Sequence, residues 1–385
     1  MTRKILVVDD EPDLEVLIQQ KFRRKIRKNI FEFYFARNGL EALEKLRVHN
    51  DIDMILTDIN MPQMDGLTLL EELLKLPVLA KAVVVSAYGD MDNIRTAMNR
   101  GAFDFLTKPI DFGDLEVTID KTLAELQELK KGMQARDALS AIQQEMELAG
   151  RLQQSIIPSE YPRRPELSVY GKMVPAKAVG GDFYDFFFID DDHLGLVIAD
   201  VSGKGVTAAM FMGVSRTLLR FTALQGLGVD KVLSHVNNLL CVDNEICMFV
   251  TVLYGVLNIK TGELSYANGG HNPPVRLRAG SPIEILPRTR GIALGIMDGV
   301  AFEPGQAVLE PGDLLYLCTD GMPDAENKAN EFFGEERLMA ELGNMEEISP
   351  EYVVNKTYKI VTDHVASGPQ FDDMTQLAIQ YQPNE

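Results

Sequence analysis

Carboxylates sit at the ends of apolar runs throughout this chain, and their neighbours decide what chemistry they can do. KILVVDD ends in Asp9 and Asp10, and MILTD ends in Asp58. AVVVSA carries Ser86, and DFLTKP carries Lys108 before Pro109. Three carboxylates gathered at one sheet edge repel one another unless a hard cation lies among them, and Mg²⁺ with its oxygen ligands meets that need. A lysine and a hydroxyl on neighbouring strands could then receive a phosphoryl group. Further along, Asp182 follows Gly180–Gly181, Asp200 ends LGLVIAD, Asp320 ends LLYLCTD, and Asp372 and Asp373 open DDMTQLAIQY. Unpaired carboxylates in a partly desolvated cleft cost several kcal/mol per ion. Lys177 and Lys204 are the basic residues close in sequence. Divalent metals answer the excess charge, and all-carboxylate ligation favours Mg²⁺ or Mn²⁺ over Zn²⁺. Two such ions can activate water for in-line attack on phosphorus.

These residues need elements to hold them. Up to about residue 120, the short β-rich runs KILVVDD, FEFYFA, MILTD, AVVVSA and DFLTKP alternate with helical patterns such as LEVLIQQKF and LTLLEELLKL. That alternation predicts a five-stranded, doubly wound parallel sheet covered on both faces. In such a sheet function gathers at the carboxyl ends of the strands, where the first aspartate set lies. From Phe112 to Ile156 the sequence lacks proline. Apolar or small residues recur there at three-four spacing: Ile119, Thr122, Leu126, Leu129 and Met133, then Leu139, Ile142, Met146, Ala149, Gln153 and Ile156. The register slips near Arg136 and Asp137. The pattern predicts a helical linker that pairs with a second copy as a parallel coiled coil, giving a homodimer. Pro158, Pro162 and Pro165 end it. Beyond them strands dominate. VTVLYGVLNIKTGELSYANGG reads as two strands joined at Lys260–Thr261–Gly262, and two helical stretches, TAAMFMGVSRTLLRFTALQ and EERLMAELGNM, lie between β regions. An α+β antiparallel sandwich flanked by helices is expected. The domain reading is 1–120, 121–157 and 158–385.

Composition narrows the function. The chain has 385 residues and a net charge of −19, which argues against nucleic acid as a partner, since phosphate binding needs a basic surface. No helix-turn-helix signal is present. The three cysteines, Cys241, Cys247 and Cys318, form no metal-spaced pair and fit a reducing compartment. MTRKILVVDD runs straight into a strand, and no apolar run reaches about 18 residues. A cytoplasmic protein without membrane association is expected.

VVDDEPD, LTDINMPQMDG, VVVSAYG and GAFDFLTKP, in that order, resemble the CheY-like receiver domain of two-component response regulators. The resemblance implies that Asp58 is the phosphoacceptor. It also implies that Asp10 and Asp58 bind Mg²⁺ with help from Asp9 and the Asn60 carbonyl. Ser86 and Lys108 would hold the phosphate, and Phe105 would sit at the switch-aromatic position. VPAKAVGGDFYDFF, VIADVSGKGVTAAM, YANGGHNPP, LCTDGMPDAEN and FDDMTQLAI resemble the PPM metal-dependent serine/threonine phosphatases, nearest their SpoIIE-like branch. By that resemblance Asp200 bridges two Mn²⁺ or Mg²⁺ ions and the Val201 carbonyl adds a ligand. Asp182 completes one site; Asp320 and either Asp372 or Asp373 complete the other. LQQSIIPSEYP resembles the switch helix of that branch.

Other residues are read more plainly. His271 is assigned to holding the GGHNPP turn rather than to acid catalysis. Lys177 reads as solvated, Lys204 as a residue that either contacts substrate or does not, and Asp185 and Asp190–Asp192 as surface or turn residues. The whole is expected to be a response regulator phosphorylated by a sensor histidine kinase, with a serine/threonine phosphatase output acting on a phosphorylated anti-sigma-factor antagonist. The rival is a non-catalytic adaptor that binds a partner in a phosphorylation-dependent way. The presence of every expected aspartate argues against it.

Overall fold

The computed structural model describes residues 2–87, 90–162, 164–366 and 368–383. Tyr88 and Gly89, the end of the VVVSAYG segment, lie outside the described residues. The chain divides into two compact units, Met1–Ala141 and Ile142–Glu385. Among the described residues no helix is long and apolar enough to cross a membrane.

The first unit runs β1 (Arg3–Val8), α1 (Pro12–Lys21), α2 (Arg23–Arg27), β2 (Phe31–Ala36), α3 (Gly39–Val48), β3 (Met54–Asp58), α4 (Gly66–Leu73), β4 (Lys81–Ala87), α5 (Met91–Asn99), β5 (Asp104–Lys108) and the start of α6 (Phe112–Ile156). The five strands form one parallel sheet in the order β2-β1-β3-β4-β5. Both faces are covered, which is why the strands read as continuous apolar runs. Ile5 and Val7 of β1 join one core with Ile18, Leu56 and Val85, while Leu6 and Val8 join the other with Leu46, Leu69 and Val84. Side chains cap two of the helices. Asn38 accepts from the Glu41 amide at the start of α3, and Asp65 accepts from the Thr68 amide at the start of α4.

The stripe expected to be a free seam begins instead as receiver core. Leu115, Ile119 and Leu123 of α6 are buried against the sheet, and Thr122 and Leu126 are buried as well. Periodicity announces an apolar face without saying what covers it, and here the face of residues 115–126 packs on its own domain. Farther along, Leu129, Met133, Leu139 and Ile142 are exposed.

The second unit takes up the end of α6 and continues as β6 (Leu167–Val174), β7 (Phe183–Phe188), β8 (His193–Val201), α7 (Val206–Ala223), α8 (Val229–Cys241), β9 (Val250–Asn258) and β10 (Glu263–Gly269). It closes with β11 (Val275–Leu277), β12 (Glu284–Ile285), β13 (Gly305–Val308), β14 (Leu314–Cys318), α9 (Glu335–Gly343), α10 (Pro350–Val365) and β15 (Met374–Tyr381). Two antiparallel sheets, ordered β13-β10-β9-β8-β7 and β12-β11-β14-β15-β6, face each other. Leu196, Ile198 and Leu253 of one meet Leu317, Leu377 and Ile379 of the other in the central core. Helices α7 and α8 cover the outer face of the first sheet through Met212, Leu219, Val232 and Val236. Helices α9 and α10 cover the second through Leu338, Leu342, Val354 and Val361. This is the expected helix-flanked sandwich. Helices α8 and α10 join the two read from sequence.

Candidate active site and phosphoacceptor site

In the first unit the parallel order sets the ends of β1, β3 and β5 along one edge. Asp9, Asp10 and Asp58 offer oxygens that all lie within 4.8 Å of one another. Lys108 at the end of β5 reaches across with its Nζ 2.6 Å from Asp58 Oδ2 and 3.1 Å from Asp9 Oδ2. Burial alone would lower the Lys108 pKa; its carboxylate partners, Asp58 foremost, reverse that and raise it. Glu11 also reaches Lys108, at 3.1 Å, a partner that the sequence reading passed over although it directly follows the Asp9–Asp10 pair. The Asp9 carboxyl is raised by burial, opposed by the Glu11 amide and Lys108. The Asn60 amide donates to Asp58 Oδ1 at 3.3 Å. Gly66 in the MDG segment is needed because a Cβ there would lie 2.1 Å from the Asp58 carbonyl oxygen. Ser86 is fully buried on β4, one strand from Asp58, and its hydroxyl meets Asp90 at 3.3 Å rather than Asp58. Phe105 on β5 is 39% exposed. Asp9 Oδ2 is buried, and the Lys108 ammonium is the cation it meets among the described residues. A hard divalent cation fits this oxygen set.

In the second unit the aspartates come from strand ends on both sheets. Asp182 is buried just before β7, and its Oδ2 accepts from the Thr319 hydroxyl at 2.7 Å. Its pKa is pushed well up by burial, then by repulsion from Asp200 and Asp373. Asp200 near the end of β8 is pushed up to about 7 by burial, then chiefly by Asp320. Asp320, following β14, is raised by the walls around it and by Asp372. The four carboxylates therefore share one field. Among the described residues the cation paired to them is Lys204, 2.9 Å from Asp372 and hydrogen-bonded to the Phe371 carbonyl at 2.6 Å. Val201, next to Asp200, is buried, and its carbonyl oxygen would lie 2.9 Å from a Cβ on Gly181. These repelling carboxylates and the buried carbonyl are all oxygen donors, the type Mg²⁺ or Mn²⁺ takes, but among the described residues the three carboxylates whose oxygens lie within 4.8 Å of one another are those of the first unit.

The geometry separates the two adjacent aspartates. Asp373 is buried and spends both oxygens on backbone: Oδ1 accepts from the Ala176 amide at 2.8 Å, Oδ2 from the Gly181 amide at 2.6 Å. Asp372 is partly exposed and faces Lys204. Gly321 fits against this turn only without a side chain, since a Cβ would lie 1.9 Å from the Asp373 carbonyl oxygen. The Thr319 hydroxyl also accepts from the Thr375 amide at 3.2 Å, linking the two motifs. A threonine next to the aspartate in LCTDG, and one two residues after Asp373 in DDMT, was the signal for it.

At the end of α6, Gln153 is buried and forms a reciprocal pair with Gly180: its Nε2 donates to the carbonyl at 2.6 Å and its Oε1 accepts from the amide at 2.9 Å. The LQQSIIP segment thus grips the glycine loop that carries Asp182. His271 is buried, with Nδ1 2.9 Å from the Thr251 hydroxyl and its backbone locked to Asn268. Burial pushes its pKa down to about 4, so it is neutral near pH 7 and carries no proton to donate as an imidazolium. Lys177 is exposed. Asp185 corrects the surface expectation. It is buried on β7, bound by Arg216 and Arg220 of α7, each at 3.1 Å. A lone carboxylate inside FYDFFF requires such partners. Asp190 accepts from the Asp192 and His193 amides and shapes the turn before β8.

The response regulator receiver domain profile matches residues 5–120, and the Stage II sporulation protein E (SpoIIE) profile matches residues 190–382. Protein IcfG of Synechocystis sp. is 31% identical over 331 residues, 78% of this chain and 50% of its own. The phosphoserine phosphatase RsbU of Bacillus subtilis is 28% identical over 199 residues, 51% of this chain and 59% of its own. The chain thus spans about half of the one relative and three fifths of the other. A crystal structure of the RsbU and RsbW domains of a Mycobacterium tuberculosis protein is 27% identical, with a TM-score of 0.51, covering 57% of this chain and 61% of that one. With its aspartates at the ends of a two-sheet sandwich and an aspartate–lysine edge on a parallel sheet, the chain belongs to the SpoIIE family of PPM-type phosphatase domains, joined to a response regulator receiver domain.

Proposed function

We propose that this chain is a two-component response regulator whose output is a metal-dependent protein serine/threonine phosphatase. The observation that carries the reading is the shared field of Asp182, Asp200, Asp320 and Asp372, relieved among the described residues by Lys204 alone. Asp182, Asp200, Asp320, Asp372 and the Val201 carbonyl would hold the ions, with Asp200 as the shared ligand. When bound there, two Mn²⁺ or Mg²⁺ ions supply charge neutralisation at phosphorus and activation of the attacking water. The protein groups do the positioning. Thr319 fixes the Asp182 carboxylate, and Asp373 ties the Ala176–Gly181 backbone so that Asp182 keeps its place. Lys204 presents a positive charge beside the site to an incoming phosphate.

In the receiver, a sensor histidine kinase donates a phosphoryl group to Asp58. Asp10, Asp58 and the Asn60 carbonyl, helped by Asp9, would hold Mg²⁺ there. Lys108 turns from Asp58 to the phosphoryl oxygens, and Ser86 leaves Asp90 to join it. The switch acts through α6, whose residues belong to both units and whose Gln153 grips Gly180. The exposed Leu129, Met133, Leu139 and Ile142 support pairing of two copies as a coiled coil. The name of RsbU, a phosphoserine phosphatase, supports a phosphoserine substrate, for which a phosphorylated anti-sigma-factor antagonist is the candidate. The test is hydrolysis of a phosphoserine peptide by the full chain. Activity should require Mn²⁺ or Mg²⁺, vanish with EDTA, and change on treatment with acetyl phosphate in the wild type but not in Asp58→Asn. Metal-independent hydrolysis, or equal response of the two proteins, would refute it.

A further inference from the structure

Residues 21–28 read KFRRKIRK, six basic residues without an acid, in a chain of net charge −19. They form the end of α1 and all of α2, beside the sheet edge. Two of the basic residues are spoken for: Lys25 pairs with Glu116 and Asp120, and Lys21 lies over the Phe112 ring. Arg23 and Arg27, one helical turn apart, have no ion pair among the described residues. Both line an open cleft of about 600 Å³ whose wall is Phe31, Phe33 and Phe35 of β2. Phe33 and Phe35 are half-buried and stack with centroids 6.3 Å apart. The acid on the cleft wall, Glu32, has its carboxylate held by the Tyr34 hydroxyl at 2.9 Å.

The strand beside this cleft is open. β2 pairs with β1 along all six residues, and it ends the sheet, so its other edge offers backbone groups to a further strand. An exposed edge beside pockets for alternate side chains is the geometry of strand addition. The surrounding charge selects the guest. An acidic segment is repelled by most of this chain's surface and attracted where the local sign reverses. A basic segment is repelled at Arg23 and Arg27.

We propose that this cleft docks an extended acidic peptide segment of a partner protein, which adds as a strand to the free edge of β2 and sets its carboxylates against Arg23 and Arg27. The site is separate from the Asp58 edge and stands whether or not the phosphatase reading holds. The test uses the full chain and two fluorescein-labelled decapeptides, one alternating glutamate with valine, the other glutamate with proline. The charges match, but proline at every second position fixes φ near −65° and holds the second peptide in polyproline II, which disfavours pairing as a twisted strand. Fluorescence anisotropy should show saturable binding of the first, at least tenfold tighter than of the second and weakening as salt rises. Arg23→Glu/Arg27→Glu should weaken it roughly tenfold or more, and the milder Arg23→Gln/Arg27→Gln by several-fold. Hydrogen exchange should slow at the amides of residues 31–36 in the complex. Equal binding of the two peptides would mean unspecific attraction and would overturn the proposal. So would binding untouched by either arginine pair, or none up to millimolar peptide, which would leave the arginines as guards of the edge. Equally tight binding of inorganic phosphate at the same arginines would also overturn it, replacing the strand with a small anion.

Discussion

Asp372 and Asp373 are neighbours with opposite duties, and replacing each by alanine should separate stability from metal binding. Asp373 is 7% exposed and accepts two short hydrogen bonds from the Ala176 and Gly181 amides. A hydrogen bond to a charged group contributes about 1.5–3 kcal/mol, and its loss here leaves two amide donors without that acceptor. Two such losses, less about 1 kcal/mol of relieved repulsion with Asp182, put Asp373→Ala at roughly 2–5 kcal/mol of destabilisation. For a unit of this size that is a fall in Tm of roughly 5–15 °C. Asp372 makes one half-exposed ion pair with Lys204, worth about 0–1 kcal/mol, and it repels Asp320. Asp372→Ala should therefore leave the metal-free Tm nearly unchanged while weakening Mn²⁺ binding. The chain has no tryptophan, so scanning calorimetry in EDTA is the suitable assay, with isothermal titration for Mn²⁺. Equal losses of Tm in the two variants, or a larger loss for Asp372→Ala, would refute the assignment.

The other predictions follow from the same geometry. Asp58→Asn should fold normally and incorporate no phosphate from acetyl phosphate, checked by intact mass. Gln153→Ala strands both backbone groups of a buried glycine and should cost about 1–3 kcal/mol, read as a lower Tm of the second unit. The Asp200 carboxyl is raised in the folded protein, so in metal-free protein its contribution is fully present below about pH 4 and is lost as pH rises through about 7. Chemical denaturation in EDTA should show Asp200→Asn gaining on the wild type across that window, by about 1–2 kcal/mol after discounting for solvent screening. A constant difference between the two proteins would contradict the shared field.

Much of this was legible because strand ends carry the chemistry. KILVVDD, MILTD and DFLTKP each announce a buried strand and its terminal group, and parallel order brings those ends together without further information. LGLVIAD and LLYLCTD do the same for the sandwich. The sequence left Asp372 and Asp373 undivided because adjacent residues at a strand start differ only in the direction they point. The fold alone supplies Ala176 and Gly181 as partners for one of them. The stripe from Ile119 to Leu126 was indistinguishable from a dimer seam, since a period of three and four records an apolar face and not its cover. Asp185 could have been caught: a carboxylate within FYDFFF needs buried cations, and Arg216 and Arg220, four apart on one helix, were there to supply them. Gln153 could not, because a polar residue in a linker helix reveals nothing until the glycine loop lies against it.

The central claim is that Asp200 joins two divalent-ion sites that hydrolyse phosphoserine. The most direct measurement is the rate at which the full chain and its Asp200→Ala variant dephosphorylate a phosphoserine peptide in saturating Mn²⁺, with folding of the variant verified by calorimetry. The account predicts a loss of more than about a hundredfold that added Mn²⁺ does not restore. A variant rate within a few-fold of the wild type would contradict it.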